Sequence, residues 1–540
     1  MRVNIKLRAF VAGAVGMVVA FGVVELVHGL YQPVPSVLVA VAQRVIESTP
    51  GGFATVAIEV LGKADIPILI TVVVVSTLLF AGFLANNSLR SPVMALVGVG
   101  VLAAVALAAS LLEPFVAPVA AGLTVVGALG VGSAVTVFLL HAAGLRASEP
   151  VSRPVSRDSD RELRSQGVRS REAHSPAGIA VDRRNFLLLS GRAAVAGLAA
   201  AGVGRTLAGG REASNTDHLK PGLSLANKVL PPPPPEASLD VPGMPPLITP
   251  AEDFYLIDTT LTSPRINVDD WTLSVKGTVD NPIELTYGDL LSLPTREADI
   301  TLSCVSNEVG GELISNGRWT GVLLSDVLKE AGVSREKISR ASEQLVGRSV
   351  DGWTAGFKTA LALDGREALV AFGLNGDELP LKHGYPVRLV VPGLYGYVSA
   401  TKWLTEIELT DWDFDAYWIQ RTWSKEGPIR SQSRIDTVKD GESLPAGTVQ
   451  VGGVAWAPHR GIERVEVSTD DGETWTDAKL AAQLDVDTWR QYVHDWKAKP
   501  GDHTLKVRAT DGEGETQTED KATPHPSGAT GYHTVEVTVA

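Results

Sequence analysis

The stretch TLSCVSNEVGG, residues 301–311, holds Cys304, the only cysteine among 540 residues. One cysteine excludes a disulfide framework within the chain, a four-cysteine zinc site and an all-cysteine iron–sulfur cluster. No CxxCH occurs, so covalent haem attachment is excluded as well. A lone thiol is ordinarily a small buried apolar residue, and the residues around this one decide whether that holds here.

Outward from Cys304 the chain reads as a folded mixed domain. WTLSVKGTVD, residues 271–280, alternates like a strand. YGDLLSLP, residues 287–294, reads as a short helix closed by Pro294, and ALVAFGLNGDELPLKHG, residues 368–384, gives strand, Asn-Gly turn and strand. Residues 251–435 are therefore expected to form an α+β domain. Residues 436–540 hold short alternating runs, among them QVGGVAWA, RVEVSTDDGETWTDAKL and YHTVEVTVA, joined by turn residues such as Asp471-Gly472. That pattern predicts an all-β antiparallel sandwich of immunoglobulin type.

Three motifs in order carry a resemblance: TLSCVSNEVGG followed by GRWTGVLLSDVL (317–328), then KHGYPVRLVVPGLYGYVSATKWLTEIEL (382–409) and GGVAWAPHRGIERVEVSTDDGETW (452–475). Together they resemble the sulfite oxidase family of molybdenum enzymes across residues 251–540. The resemblance implies a molybdenum–molybdopterin cofactor whose metal is bound by the Cys304 thiolate, a soft ligand suited to a metal already held by dithiolene sulfurs. It implies two-electron oxygen-atom transfer, with electrons leaving or arriving singly. It assigns the pterin phosphate to His383, Arg388 and Lys402, with Arg388 able to make a forked contact and Lys402 acting as a point charge. Ser306 and Asn307 follow the cysteine as in related sequences and read either as hydrogen-bonding near the cofactor or as loop caps. A Cys304–His383 nucleophile and base is the competing chemistry, but no hydrolase motif surrounds either residue.

The substrate side departs from the family. FYLIDTTL, residues 254–261, has Ile257 where sulfite oxidases place one substrate arginine, and Glu308 and Val309 stand where another follows the cysteine. Losing two cations and gaining a carboxylate weakens binding of a dianion such as sulfite. Arg460 matches a third substrate arginine, in a shorter loop. A neutral or extended oxygen-atom donor or acceptor is expected instead, a sulfoxide or N-oxide being the leading class. Tyr395, Tyr397, Trp412, Trp418 and Trp423 either line that cleft or pack a domain interface. With no second redox centre legible, electrons require an external partner: a quinol system, a membrane haem protein or a small cytochrome. The last segment either forms a homodimer, as in soluble relatives, or buttresses the site.

The first part of the chain lives in another solvent. Residues 9–30, 66–85, 93–112 and 119–141 are long and apolar enough to span a bilayer, which takes about 20 residues, and 34–46 reads as an interfacial helix. Residues 1–145 thus form an all-α four-span region. Arg2, Lys6, Arg8, Arg90 and the arginine-rich loop 146–182 are expected on the cytoplasmic side. His28 and His141 end their spans on opposite sides, separated by most of the bilayer's thickness, about 30 Å, so they do not share a haem. Gly127, Gly130 and Gly132 read as close helix contacts. Apart from Glu25, intramembrane charge is scarce, which argues against a transport role.

DRRNFLLLSGRAAVAGLAAAGVGR, residues 182–205, is short, rich in alanine and glycine, and interrupted by Arg192. Arg183 and Arg184 followed by Phe186 and Leu187 read as a twin-arginine signal, against an ordinary fifth span with a positive flank. The twin-arginine route carries folded, cofactor-loaded domains, so residues beyond 205 are expected outside the cell membrane. Residues 206–250, with Pro231 to Pro235 in a run, read as an extended spacer. The net charge of −13 collects beyond Asp240 and excludes nucleic acid as a partner. The rival to an enzyme is a membrane-anchored binding protein that keeps the fold without the chemistry.

Overall fold

The computed structural model describes residues 2–53, 57, 61, 64–145, 183–214 and 226–540. They form two compact units, Met1–Thr49 with Val56–Ala213, and Pro50–Thr55 with Ser214–Ala540.

The first unit is helical: α1 (Arg2–Leu30), α2 (Val37–Ser48), α3 (Asp65–Ser88), α4 (Pro92–Leu111), α5 (Pro118–Ala142) and α6 (Arg183–Ser214). Five of these, all but α2, are long and apolar enough to cross a membrane by length and composition. The helix containing the twin-arginine-like segment does not end at 205 but continues to Ser214. In helices this apolar, close approach falls to small residues. Gly132 does so as expected, since a Cβ there would lie 2.6 Å from the Gly16 carbonyl oxygen. Gly127 and Gly130 do not, because nothing lies within 4 Å of a Cβ at either position. The contact surface instead includes Gly22 and Gly29 of α1, where a Cβ would overlap the backbone of Gly197 and Gly204 of α6. Glu25 is buried and receives the Ser36 hydroxyl at 2.5 Å, with Arg205 at 3.6 Å. His28 Nδ1–H donates to Val34 O at 2.8 Å and His141 Nδ1–H to Val137 O at 2.9 Å, so backbone carbonyls engage both rings. The basic loop 146–182 lies outside the described residues.

The second unit holds the α+β domain expected around Cys304. One sheet runs β2 (Ile283–Thr286), β1 (Thr272–Gly277), β10 (Leu404–Thr410), β5 (Gln344–Ser349), β6 (Thr354–Lys358). The other runs β3 (Thr295–Ser303), β4 (Ile314–Leu323), β7 (Leu369–Leu374), β8 (Asp377–Glu378), with β9 (Arg388–Val390) paired on β7. Leu273, Leu324, Leu328, Phe372 and Ile407 share one buried core, and Phe254, Ile300, Trp319 and Leu374 share a second. The Asn-Gly hairpin forms as read, with Asn375 at φ 56° and Gly376 at φ 89° joining β7 to β8. The predicted short helix is α7 (Tyr287–Ser292), capped by Thr286 and Asp289 in a reciprocal pair. Two further short helices, α8 (Leu324–Glu330) and α9 (Gly396–Ser399), complete the domain.

The last domain is two facing sheets around one core that includes Val451, Val465, Leu505 and Val535. One sheet contains β11 (Gln432–Ile435), β13 (Gly447–Trp456), β17 (Arg490–Ala498) and β16 (Lys479–Leu480). The other contains β12 (Glu442–Leu444), β19 (His533–Val539), β18 (Gly501–Asp511), β14 (Ile462–Ser468) and β15 (Thr476–Asp477). It is not wholly antiparallel, because β12 pairs with β19 in parallel. Val454, Trp456 and Trp489 from this domain belong to the α+β core, so the two domains are fused by a continuous apolar interior.

The proline-rich stretch was expected to stand off as a spacer; residues 226–250 instead line the domain surface. Asn227 N and Lys228 N donate to Thr295 O, each at 3.1 Å, and Leu230 N donates to Glu297 Oε2 at 2.8 Å. Trp489 Nε1 donates to Leu247 O at 2.9 Å. An extended chain makes no hydrogen bonds of its own, so its backbone groups are available to a neighbouring strand or side chain. Arg318 anchors this arm: Nη1 donates to Pro231 O at 2.9 Å while Nε and Nη2 take both oxygens of buried Asp299 at 2.9 and 2.8 Å. Asp299→Asn, which breaks a largely buried forked ion pair, is expected to lower stability by about 3 kcal/mol. The check is a shift in the denaturant midpoint of the full chain in detergent, with earlier proteolysis near residue 231.

Candidate active site

Cys304 follows β3 directly, and the loop after it is closed by its own backbone. Cys304 N donates to Leu313 O at 2.9 Å, Asn307 N to Cys304 O at 3.1 Å, and Gly311 N to Glu308 O at 2.9 Å. Asn307, 3% exposed, receives Leu313 N on Oδ1 at 2.8 Å, so one end of its amide does cap the loop. Its Nδ2 is buried without a partner among the described residues. Ser306 hydrogen-bonds toward the Cys304 sulfur through backbone and side chain. Burial pushes the thiol above its ordinary range, and the Ser306 bonds only partly oppose this. Such a thiol is poorly suited to act as a free nucleophile at neutral pH, whereas a bound metal would displace its proton.

Arg388, Lys402 and His383 converge around Gly384, whose φ of 112° only glycine adopts readily. A Cβ there would sit 3.1 Å from both Arg388 Cβ and Lys402 Cβ. Arg388 Nη1 donates to His383 O at 3.0 Å, and the guanidinium lies 5.1 Å over the Trp319 ring. Lys402 Nζ meets Asp258 at 2.5 Å and Lys382 O at 2.9 Å. Burial pulls Arg388 down to about 10 and Lys402 down to about 8, with Asp258 opposing both shifts. Burial pushes Asp258 up, against the pull of Lys402.

His383 differs from the cation expected of it. Nε2–H donates to Ala251 O at 3.1 Å, and burial beside Arg388 and Lys402 holds the ring down to about 3. At neutral pH, beside these two cations, the ring is uncharged with Nδ1 as acceptor, and it orders the turn. Arg388 and Lys402 thus stand beside the Asp258 carboxylate, with Asp351 also acting on Lys402.

Tyr255 links this cluster to the thiol. Its phenol is raised out of the ordinary range by burial and by Cys304, and Arg388 acts on it in the opposite sense. Tyr255 N donates to Ser315 Oγ at 3.0 Å. Tyr255 and Asp258 were not singled out from the sequence, where nothing in FYLIDTTL marks them as facing a pocket. Thr401 Oγ1 and Ser349 Oγ, both buried, also lack partners among the described residues. A partly buried thiol, a pair of largely buried cations and several orphaned polar atoms fit a thiolate-bound metal carried on a phosphorylated organic group.

The substrate side is less cationic. Ile257 is exposed, as is Glu308. Arg460 is committed elsewhere, donating to Asp511 at 2.9 Å, Ser431 Oγ at 2.9 Å and Ile429 O at 3.1 Å. Tyr395, Tyr397 and Trp423 are buried in the shared core, Trp418 packs edge-on to Trp423, and Trp412 lies under Lys358 and Lys425. These aromatics are packing residues. Tyr395 is nonetheless close enough for Cys304 to raise its phenol, which burial pushes up to about 12.

The depressed His383 has a consequence for stability. As pH falls below the ordinary imidazole value of about 6.5, the unfolded chain takes up a proton that the folded chain refuses until about 3. Stability is thus expected to decline from pH 6.5 downward. His383→Gln should flatten that decline in denaturant midpoints followed by tryptophan fluorescence.

Residues 260–418 match the family model of the oxidoreductase molybdopterin binding domain, and residues 426–538 match that of the Mo-co oxidoreductase dimerisation domain. Mitochondrial sulfite oxidase of Rattus norvegicus is 31% identical over 274 residues, 44% of this chain and 50% of its own length. NADH nitrate reductase 1 of Arabidopsis thaliana is 28% identical over 271 residues, 41% of this chain and 29% of its own length. The crystal structure of the sulfane dehydrogenase SoxCD from Paracoccus pantotrophus aligns with 59% of this chain and 87% of that one, at 23% identity and a TM-score of 0.46. The chain spans about half the length of the mitochondrial sulfite oxidases it matches. Through residues 260–538, the chain belongs to the sulfite oxidase family of molybdenum-cofactor-dependent oxidoreductases.

Proposed function

We propose that this protein is a membrane-anchored oxidoreductase that uses molybdenum-molybdopterin for two-electron oxygen-atom transfer on the outer face of the cell membrane. The observation that carries this reading is the pair of cations Arg388 and Lys402 linked to the sole thiol through buried Tyr255, on which both Cys304 and Arg388 act. In this reading the Cys304 thiolate binds the metal, Arg388 and Lys402 hold the pterin phosphate, and the free Asn307 Nδ2 and Ser306 hydroxyl serve nearby polar atoms. His383 shapes the Gly384 turn as a neutral ring. Bound molybdenum supplies the two-electron couple and the site at which oxygen is exchanged.

Sulfite is disfavoured as substrate. Exposed Ile257 and Glu308 bring no cation, and Arg460 is neutralised by Asp511. A neutral or extended substrate fits better, a sulfoxide or N-oxide reduced by oxygen removal. Electrons then come from an external quinol system or cytochrome. Arg183 and Arg184 at the start of α6 suit twin-arginine export, and the last domain, which we read as immunoglobulin-like, suits a homodimer as well as a buttress. The second reading, a binding protein without cofactor, is favoured by the partners the cations already have, Asp258 and Lys382 O for Lys402 and His383 O for Arg388, but it leaves the orphaned Asn307 Nδ2 beside the thiol loop unexplained.

The test is molybdenum and pterin content per chain of the purified full-length protein, with and without Cys304→Ser. Near-unit molybdenum in the parent, with the metal's Mo(V) resonance changed or lost in the variant, is the expected result. A folded parent with neither metal nor pterin after molybdenum-replete expression would establish the binding-protein reading instead.

A further inference from the structure

We propose that Arg434 and His533, both in the last domain, are positioning residues that fix the loop bearing Cys304; the inference rests on Cys304 being the metal ligand. Loop 304–313 is closed on its inner side by Asn307, but its outer limb has no regular structure, and Gly310 there has φ 78°. That limb is gripped from β11 and β19. Arg434 Nη1 donates to Gly311 O at 2.6 Å, while Nε of the same guanidinium donates to Asp436 Oδ1 at 2.7 Å. Arg434 and Asp436 are 9% and 8% exposed, so the pair acts in a low dielectric where a charged hydrogen bond is strong.

The arginine is itself held, since Tyr492 Oη donates to Arg434 O at 2.9 Å. The His533 ring lies against Gly310 so closely that a Cβ at that position would overlap it. Ile435 N donates to His533 Nδ1 at 3.0 Å, which fixes the ring's orientation and leaves the proton on Nε2. Two successive loop residues, 310 and 311, are thereby clamped by adjacent residues of β11 and the first residue of β19. Arg434 and His533 meet the loop at residues 311 and 310 and so act on the sulfur through the loop. Small displacements of a ligand alter what it can do, so the last domain sets where the thiolate stands, independently of any role in dimerisation.

Because Cys304 is the sole cysteine, its alkylation reports on this loop alone. In full-length chain purified in detergent from cells unable to make the pterin, Arg434→Ala is expected to raise the N-ethylmaleimide reaction rate about tenfold or more, the effect of losing one charged hydrogen bond. Amide exchange at 304–313 should quicken while β13 stays protected, and Arg434→Lys should recover part of both. In metal-loaded chain, the Mo(V) resonance should shift in Arg434→Ala and move back in Arg434→Lys. Unchanged alkylation and loop exchange in a folded Arg434→Ala chain would overturn the proposal. Should that variant fail to fold, His533→Ala, which removes the ring against Gly310 together with the acceptor of Ile435 N, is expected to change alkylation in the same direction, and an unchanged rate there overturns it. Parent metal content is measured separately: a parent without molybdenum overturns the ligand reading whatever the alkylation shows.

Discussion

Arg388 is buried and Lys402 largely so beside it, with Asp258 acting on both and Asp351 on Lys402, and this concentration of charge organises the site. Uncompensated buried charge is expensive, and a protein retains it where an anion will complete it. The surrounding structure limits the cost. His383 stays neutral and so adds no third charge, Trp319 offers its ring face to the guanidinium, and the Gly384 turn lends the His383 and Lys382 carbonyls as acceptors. Each of these depends on β9 lying beside β7 and on the segment after Phe254 meeting Ser315 of β4 through Tyr255 and Lys402 through Asp258, so the cluster is a product of the whole domain.

The thiol loop sits on a seam. Its near side belongs to the α+β domain through Asn307, and its far side to the last domain through Arg434 and His533. Trp456 and Trp489 carry the apolar core across the same boundary, and Thr301 exchanges hydrogen bonds with Asp487 and Trp489. A domain joined this way transmits its own packing to the loop, because close-packed interiors move as units. The arm 226–250 seals part of the same surface from outside.

The helical unit obeys a different rule. In lipid, burying apolar side chains gives helices no reason to associate, so close backbone approach and polar pairs take over. Gly22 and Gly29 against Gly197 and Gly204 supply the first, and Glu25 with Ser36 and Arg205 the second. The last helix is thus a packed member of the bundle. The glycines singled out on α5 were a weaker guide, since a glycine in a sequence does not say which helix, if any, it meets.

The sequence by itself determined the parts governed by local pattern or by residue identity. The apolar spans, the Asn375-Gly376 hairpin, the capped helix after Thr286, the two-sheet last domain and the lone metal-capable thiol are all written in short stretches, since period, turn chemistry and ligand softness are local properties. Tertiary structure alone decided the rest. It made His383 a neutral acceptor, recruited Asp258 and Tyr255 to the pocket, paired Arg460 away from it, and laid the proline arm against β3. It also brought Arg434 and His533 to a loop more than a hundred residues earlier in the chain. Charge state depends on burial and on neighbours distant in sequence, and neither is fixed until the chain has folded.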